Sequence, residues 1–156
     1  MKLQELLKGI EVIECTASPE LEISGVSADS RQVQPGGLFV AVPGFAADGH
    51  KFIPAAVKNC AAAVICEKKP QIDVPYVLTG NARRALAMAA ANWYGHPADS
   101  MTMIGVTGTN GKTTVTYLLK TVLEKTLGAK VGLIGTIQNM IGDKVLDTER
   151  TTPESI

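Results

Sequence analysis

A chain of 156 residues with 46% hydrophobic content can bury one core, or one small domain with part of another. Fifteen basic and fifteen acidic residues cancel, and neither sign forms a stripe or a long block, which speaks against a nucleic-acid partner or an anionic membrane surface. The start, MKLQELLKGIEVIE, is broken by Glu5, Lys8, Glu11 and Glu14, so it lacks the apolar stretch of a signal peptide or membrane span, and a cytosolic protein is expected.

Cys15, Cys60 and Cys66 are odd in number and form no C-x-x-C pair. Buried free thiols are therefore expected in place of a disulfide framework or a zinc site. In chain order, Lys2 to Leu7 reads as a short helix with Leu3, Leu6 and Leu7 inward, and short β-prone pieces follow near Glu11 to Cys15 and Ile23 to Ser27. The turn Gln34-Pro35-Gly36-Gly37 leads into a strong strand, Leu38 to Val42.

Before that turn, Asp29-Ser30-Arg31 offers an acceptor, a hydroxyl and a planar cation together. Such a triplet can bind a phosphate or uracil group, or it can be a self-satisfied turn in which Asp29 holds Arg31; local chemistry favours the second. His50 has no second ligand at metal spacing, so a turn-satisfied or exposed imidazole is expected ahead of a helix near Phe52 to Asn59. Ala61 to Cys66 and Val74 to Leu78 read as buried strands. Asn81 is placed to cap a helix running to about Tyr94, with Ala85, Leu86, Ala89, Ala90 and Trp93 on one face and Gly95-His96-Pro97 ending it. Trp93 and Tyr94, at that helix end, read as packing residues and not as a base-stacking platform.

A domain boundary is expected at His96 to Met101, giving a small mixed α/β domain over 1–98 and the start of a second, parallel-sheet domain over 99–156. Met103-Ile104-Gly105-Val106 reads as a buried strand, and from Val115 the apolar residues Leu118, Leu119, Val122 and Leu123 recur at helical spacing. Between them, Gly105, Gly111, Lys112 and Thr113 fit G-x-x-x-x-G-K-[ST]. Glycines let the backbone bend round a phosphate chain, so that successive N–H groups and the positive helix end face the anion. Lys112 then reaches the outer phosphates as a point charge and the Thr113 hydroxyl sits on magnesium. A lysine at a positive helix terminus is unfavourable unless an anion offsets it.

Lys130 to Thr136 reads as a second buried strand, completing strand, helix, strand, and Thr136 to Thr148 as a hairpin around Gly142-Asp143. One such unit and a hairpin do not cover both faces of a parallel sheet, and no Walker B-type carboxylate follows. A longer protein is therefore expected, with local disorder after about Thr136 in this piece or association that covers an exposed apolar face.

Together these stretches resemble a known family. Gly105 to Thr114 is similar to the nucleotide loop of the Mur ligases, the ATP-dependent amide-forming enzymes of peptidoglycan precursor synthesis. Asp29-Ser30-Arg31, Pro35-Gly36, the Leu38 to Ala41 strand, Asp48-Gly49-His50 and Phe52 resemble that family's amino-terminal UDP-binding domain, as shared by its MurE and MurF types. Leu133-Ile134-Gly135-Thr136 and Thr151-Thr152-Pro153-Glu154-Ser155 are more similar to the MurE type.

That resemblance implies a ligase adding the third amino acid, diaminopimelate or lysine, to UDP-N-acetylmuramoyl-L-alanyl-D-glutamate through an acyl phosphate, with ATP and Mg2+ as cofactors. It implies that Ser30 contacts the UDP end of the substrate, reversing the local reading of its turn. It further implies that Gly108, Thr109, Asn110, Gly111, Lys112, Thr113 and Thr114 hold ATP, with Lys112 catalytic and Thr113 on the metal. Thr151 and Thr152 then lie near the substrate, after Arg150 where some relatives have Asn. The amino-acid pocket, the carbamylated lysine and the metal-binding acidic and histidine residues of the family fall outside this sequence, so ligation by this piece alone is not expected. Three alternatives stand beside this reading: a non-catalytic UDP-sugar or nucleotide-binding module, a MurF-type fragment, and an unrelated phosphate-loop ATPase.

Overall fold

The computed structural model describes residues 1–44 and 48–146, and the chain folds as two units, one spanning Met1–Met101 and a second from Thr102 onward. The first unit is built on a five-stranded sheet of β1 (Glu14–Cys15), β2 (Val26–Ser27), β3 (Leu38–Val40), β4 (Ala63–Cys66) and β5 (Tyr76–Leu78), in the order β1-β5-β4-β3-β2. Strands β2 to β5 run parallel, and β1 is an antiparallel edge.

Parallel strands need cover on both faces, and the helices supply it. Helix α1 (Leu3–Leu6) and helix α3 (Ala82–Trp93) share one apolar cluster with Leu38, Val40, Ile65 and Val77. Helix α2 (Ile53–Lys58) packs Ile53 and Ala56 with Phe39, Val64 and Cys66 on the other. The alternation along β3 and β4 therefore sorts neighbouring residues to opposite cores, which is why both strands read as unbroken apolar runs. Asn81 caps α3 as predicted, its Oδ1 accepting from the Arg84 amide at 2.8 Å, and Gly95 and His96 both turn left-handed to end it.

The second unit contains α4 (Lys112–Leu127) and an antiparallel meander of β6 (Gly132–Leu133), β7 (Asn139–Ile141) and β8 (Lys144–Leu146). The hairpin expected around Gly142-Asp143 is β7–β8. Two expectations are corrected here. Residues 103–106 form no strand, with Met103 72% and Ile104 54% exposed, and β6 pairs antiparallel with β7 and not in a parallel strand, helix, strand unit. A strand needs a ladder partner, and among the described residues nothing pairs with 103–106, whereas the short meander satisfies β6 locally. On the apolar stripe of α4, Val115, Leu118 and Val122 are exposed and Leu119 and Leu123 half-buried.

Two thiols also differ from expectation. Cys15 lies on the edge strand and Cys60 in the left-handed turn after α2, and both are exposed; only Cys66 is buried, where desolvation pushes its thiol up to about 11. Tyr94 is exposed beyond the end of α3, while Trp93 packs against the core as predicted.

Candidate functional site

In the second unit the glycine-rich loop runs straight into α4. Gly111 is the N-cap residue at φ 76°, a left-handed conformation natural to glycine, and it offers the first helical turn no side-chain acceptor. The opening amides of a sixteen-residue helix are thus left for an outside acceptor. Gly108, at φ 147°, makes the earlier bend.

Lys112 folds back over this loop, its Nζ donating to the Gly108 carbonyl at 2.6 Å and the Thr109 carbonyl at 3.4 Å. Its ammonium is therefore delivered to the loop by residues three and four positions earlier, where a phosphate would also lie. Thr113, half-buried in the first turn, offers its hydroxyl, and its carbonyl accepts from Thr116 Oγ1 at 2.8 Å. Thr109, Asn110 and Thr114 are exposed. Among the described residues no group of three or more His, Cys, Asp or Glu side chains is placed to hold a metal. The donor set fits magnesium only as a single threonine oxygen completed by phosphate oxygens, a usual arrangement for an ion that keeps much of its own hydration.

The first unit presents a second candidate site at one edge of its sheet. Because β2 to β5 are parallel, the turn at Asp29-Ser30-Arg31 after β2, the segment reaching Asp48 after β3, Glu67-Lys68 after β4 and Asn81 after β5 all lie at the carboxyl ends of the strands. Ligands of open parallel sheets bind at that edge. Ser30 is buried at 7% exposure, and its carbonyl accepts from Asn59 Nδ2 at 2.8 Å.

Asp29 holds Arg31, as the local chemistry suggested: its carboxylate accepts from Arg31 Nη2 at 2.7 Å, from Nε at 3.0 Å and from the Arg31 amide at 3.0 Å. The guanidinium and that amide hold the Asp29 carboxyl down to about 2. The turn is thus internally satisfied through Asp29 while Ser30 is fixed by Asn59.

His50 is turn-satisfied, and more fully than the sequence suggested. Nδ1 lies 2.6 Å from Asp48 Oδ1, and Nε2 accepts from the amides of Glu67 at 3.0 Å and Lys68 at 3.2 Å. The Asn59–Ser30 and His50–Glu67 contacts join residues 29 and 17 positions apart, so no local pattern announces them. Thr151 and Thr152 lie outside the described residues.

A parallel-rich sheet joined in sequence to a glycine-rich loop at a helix start defines an α/β protein that carries the spacing of a phosphate loop. Residues 22–106 match the model described as Mur ligase family, catalytic domain, and residues 106–156 the Mur ligase middle domain; the chain belongs to the Mur ligase family. It is 49% identical, over 158 aligned residues, to a UDP-N-acetylmuramoyl-L-alanyl-D-glutamate--2,6-diaminopimelate ligase of Caldanaerobacter subterraneus subsp. tengcongensis, covering 100% of this chain and 32% of the relative. A solved structure of a ligase with that name superposes with a TM-score of 0.70 at 27% identity, covering 93% of this chain and 29% of the other. A MurF ligase from Thermotoga maritima in complex with ADP gives 0.50 at 34% identity, over 65% of this chain and 23% of the other. The chain spans about a third of the length of the curated relatives it matches.

Proposed function

We propose that this chain is the part of a MurE-type ligase that binds UDP-N-acetylmuramoyl-L-alanyl-D-glutamate and ATP, the whole protein adding 2,6-diaminopimelate to that substrate. The observation that carries the reading is the 49% identity to a ligase of that name across the full chain. A MurF-type reading draws on solved MurF neighbours, but the curated relatives at 43–49% identity carry the diaminopimelate ligase name.

In this reading Gly108 to Thr114 wrap the phosphates of ATP with backbone amides, and Lys112 exchanges its two loop carbonyls for phosphate oxygens. The Thr113 hydroxyl is the protein's own oxygen for Mg2+, which supplies charge neutralisation on the phosphates when bound. Phosphoryl transfer from ATP to the D-glutamate carboxylate releases ADP and gives an acyl phosphate; the incoming amine attacks its carbonyl carbon, and inorganic phosphate and a proton leave as the amide forms. Lys112 and the loop amides stabilise the charge on the transferring group by position and electrostatics. Ser30, at the carboxyl edge of the first sheet, contacts the UDP end, and Thr151 and Thr152 serve the substrate further along. The work takes place in the cytoplasm, where the nucleotide-linked substrate and ATP coexist; no helix among the described residues is long and apolar enough to cross a membrane.

Equilibrium binding of ATP and of the UDP-muramoyl dipeptide to the chain tests this. Both ligands bind, Lys112→Ala weakens ATP about 10- to 100-fold as a charge-assisted contact is lost, and it leaves the sugar nucleotide untouched. An unchanged ATP affinity in that variant, or no binding of the sugar nucleotide to the wild-type chain, would overturn the assignment.

A further inference from the structure

Outside the nucleotide loop, His50 is a side chain that ties two separate turns together at the sheet edge. It sits in the 3-10 turn Gly49–Phe52, between β3 and α2, with its side chain only 12% exposed. Every polar atom of the ring is used. Two backbone N–H groups, from Glu67 and Lys68, converge on Nε2. A donor cannot receive donors, so Nε2 is unprotonated and the proton is on Nδ1, aimed at the Asp48 carboxylate 2.6 Å away. The ring therefore bridges the segment after β3 to the segment after β4, at the edge where parallel sheets bind ligands.

The surroundings reinforce that bridge. Gly49 donates its amide to the Val42 carbonyl at 3.1 Å, and a Cβ there would fall 2.5 Å from that oxygen and 2.7 Å from the Val42 nitrogen, so the turn lies flush on the end of β3. On the far side, the Glu67 carboxylate accepts from the Ala82 amide at 2.8 Å, fixing the start of α3. The charged groups around the ring are Asp48 on its own turn and, from the segment after β4, Lys68, whose Nζ stands 3.6 Å from Asp48 Oδ2, and Glu67, engaged with α3.

We propose that His50, held as its Nδ1–H tautomer, is a positioning residue that pins the turn after β3 to the amides of Glu67 and Lys68 and so shapes the sugar-nucleotide edge of the first sheet. This rests on the reading that the UDP end of the substrate binds at that edge.

Nitrogen-detected NMR of the 156-residue chain reads the tautomer directly. The expected result is a protonated Nδ1 and a bare Nε2. His50→Gln keeps an oxygen near the Nε2 position and retains affinity for the UDP-muramoyl dipeptide within about twofold. His50→Asn reaches only the Nδ1 position and loses about tenfold, as expected for two hydrogen bonds forfeited, with ATP affinity unchanged in both. A protonated Nε2 in the wild-type chain overturns the proposal alone, as does wild-type sugar-nucleotide affinity in His50→Asn. Failure of the wild-type chain to bind the sugar nucleotide, with the expected tautomer present, removes the site reading and the shaping role that depends on it.

Discussion

Asp29 and Asp48 carry the same electrostatic signature from different partners. Arg31 holds the first carboxyl down to about 2, and the His50 ring and amide hold the second to about 2. A carboxylate whose folded pKa is depressed binds fewer protons folded than unfolded, so its contribution to stability is fully present above its ordinary value and disappears as pH falls through the folded one. For Asp29 that window lies between 3.8 and about 2. Urea unfolding across this range should show wild-type stability falling more steeply with acid than that of Asp29→Asn, which has no carboxylate to protonate. The Arg31 side chain is 86% exposed, so added salt should shrink the difference; identical slopes for the two proteins would remove Asp29 from the acid response.

At the scale of elements, what the sequence made legible was what neighbours in sequence decide. Asn81 at the start of an alanine-rich amphipathic run and Gly95 at its end mark α3 to within a residue, because a cap and a left-handed stop are satisfied by atoms three or four positions away. Asn81→Ala should accordingly cost about 1 kcal/mol in unfolding free energy of the first unit, while Asn81→Ser recovers most of it; equal stability of all three would mean that the Oδ1 contact to Arg84 contributes nothing. The strand expected at 103–106 failed for the complementary reason. Four apolar residues in a row fit a buried strand, but whether they become one depends on a ladder partner that no local pattern encodes. The direction of β6 was hidden in the same way, whereas an exposed apolar face was expected from a sheet left uncovered and is found on α4. Hidden too were the sites' supporting contacts: the phosphate loop was legible from its own spacing, whereas Asn59 against Ser30 and the Glu67 amide against His50 exist only once the sheet brings distant turns to one edge.

For the molecule as a whole, the two units differ in how much apolar surface they bury. The first fills both faces of its sheet, with Leu3, Leu6, Leu38, Val40, Ile65 and Leu86 on one side and Phe39, Val64 and Cys66 on the other, all but fully buried. Among the described residues from Thr102 onward, the sole buried apolar side chain is Leu133. Helix α4 instead buries Lys120, paired with Glu124 at 2.7 Å, while Val115, Leu118 and Val122 face water. Backbone hydrogen bonds backed by few apolar contacts open locally, at far lower free energy than those of a filled core. Native-state hydrogen exchange on the isolated 156-residue chain should therefore separate them: amides of β3 and β4 exchange only with global unfolding of their unit, and those of α4 exchange orders of magnitude faster. Bound ATP offers the unpaired first-turn amides an acceptor, so saturating nucleotide should raise protection of α4 from its first turn onward, and Lys112→Ala should blunt that rise. Protection of α4 equal to that of β3 without ligand would show that its exposed apolar face is covered in solution, and would assign the stability of the second unit to that cover and not to the phosphate loop.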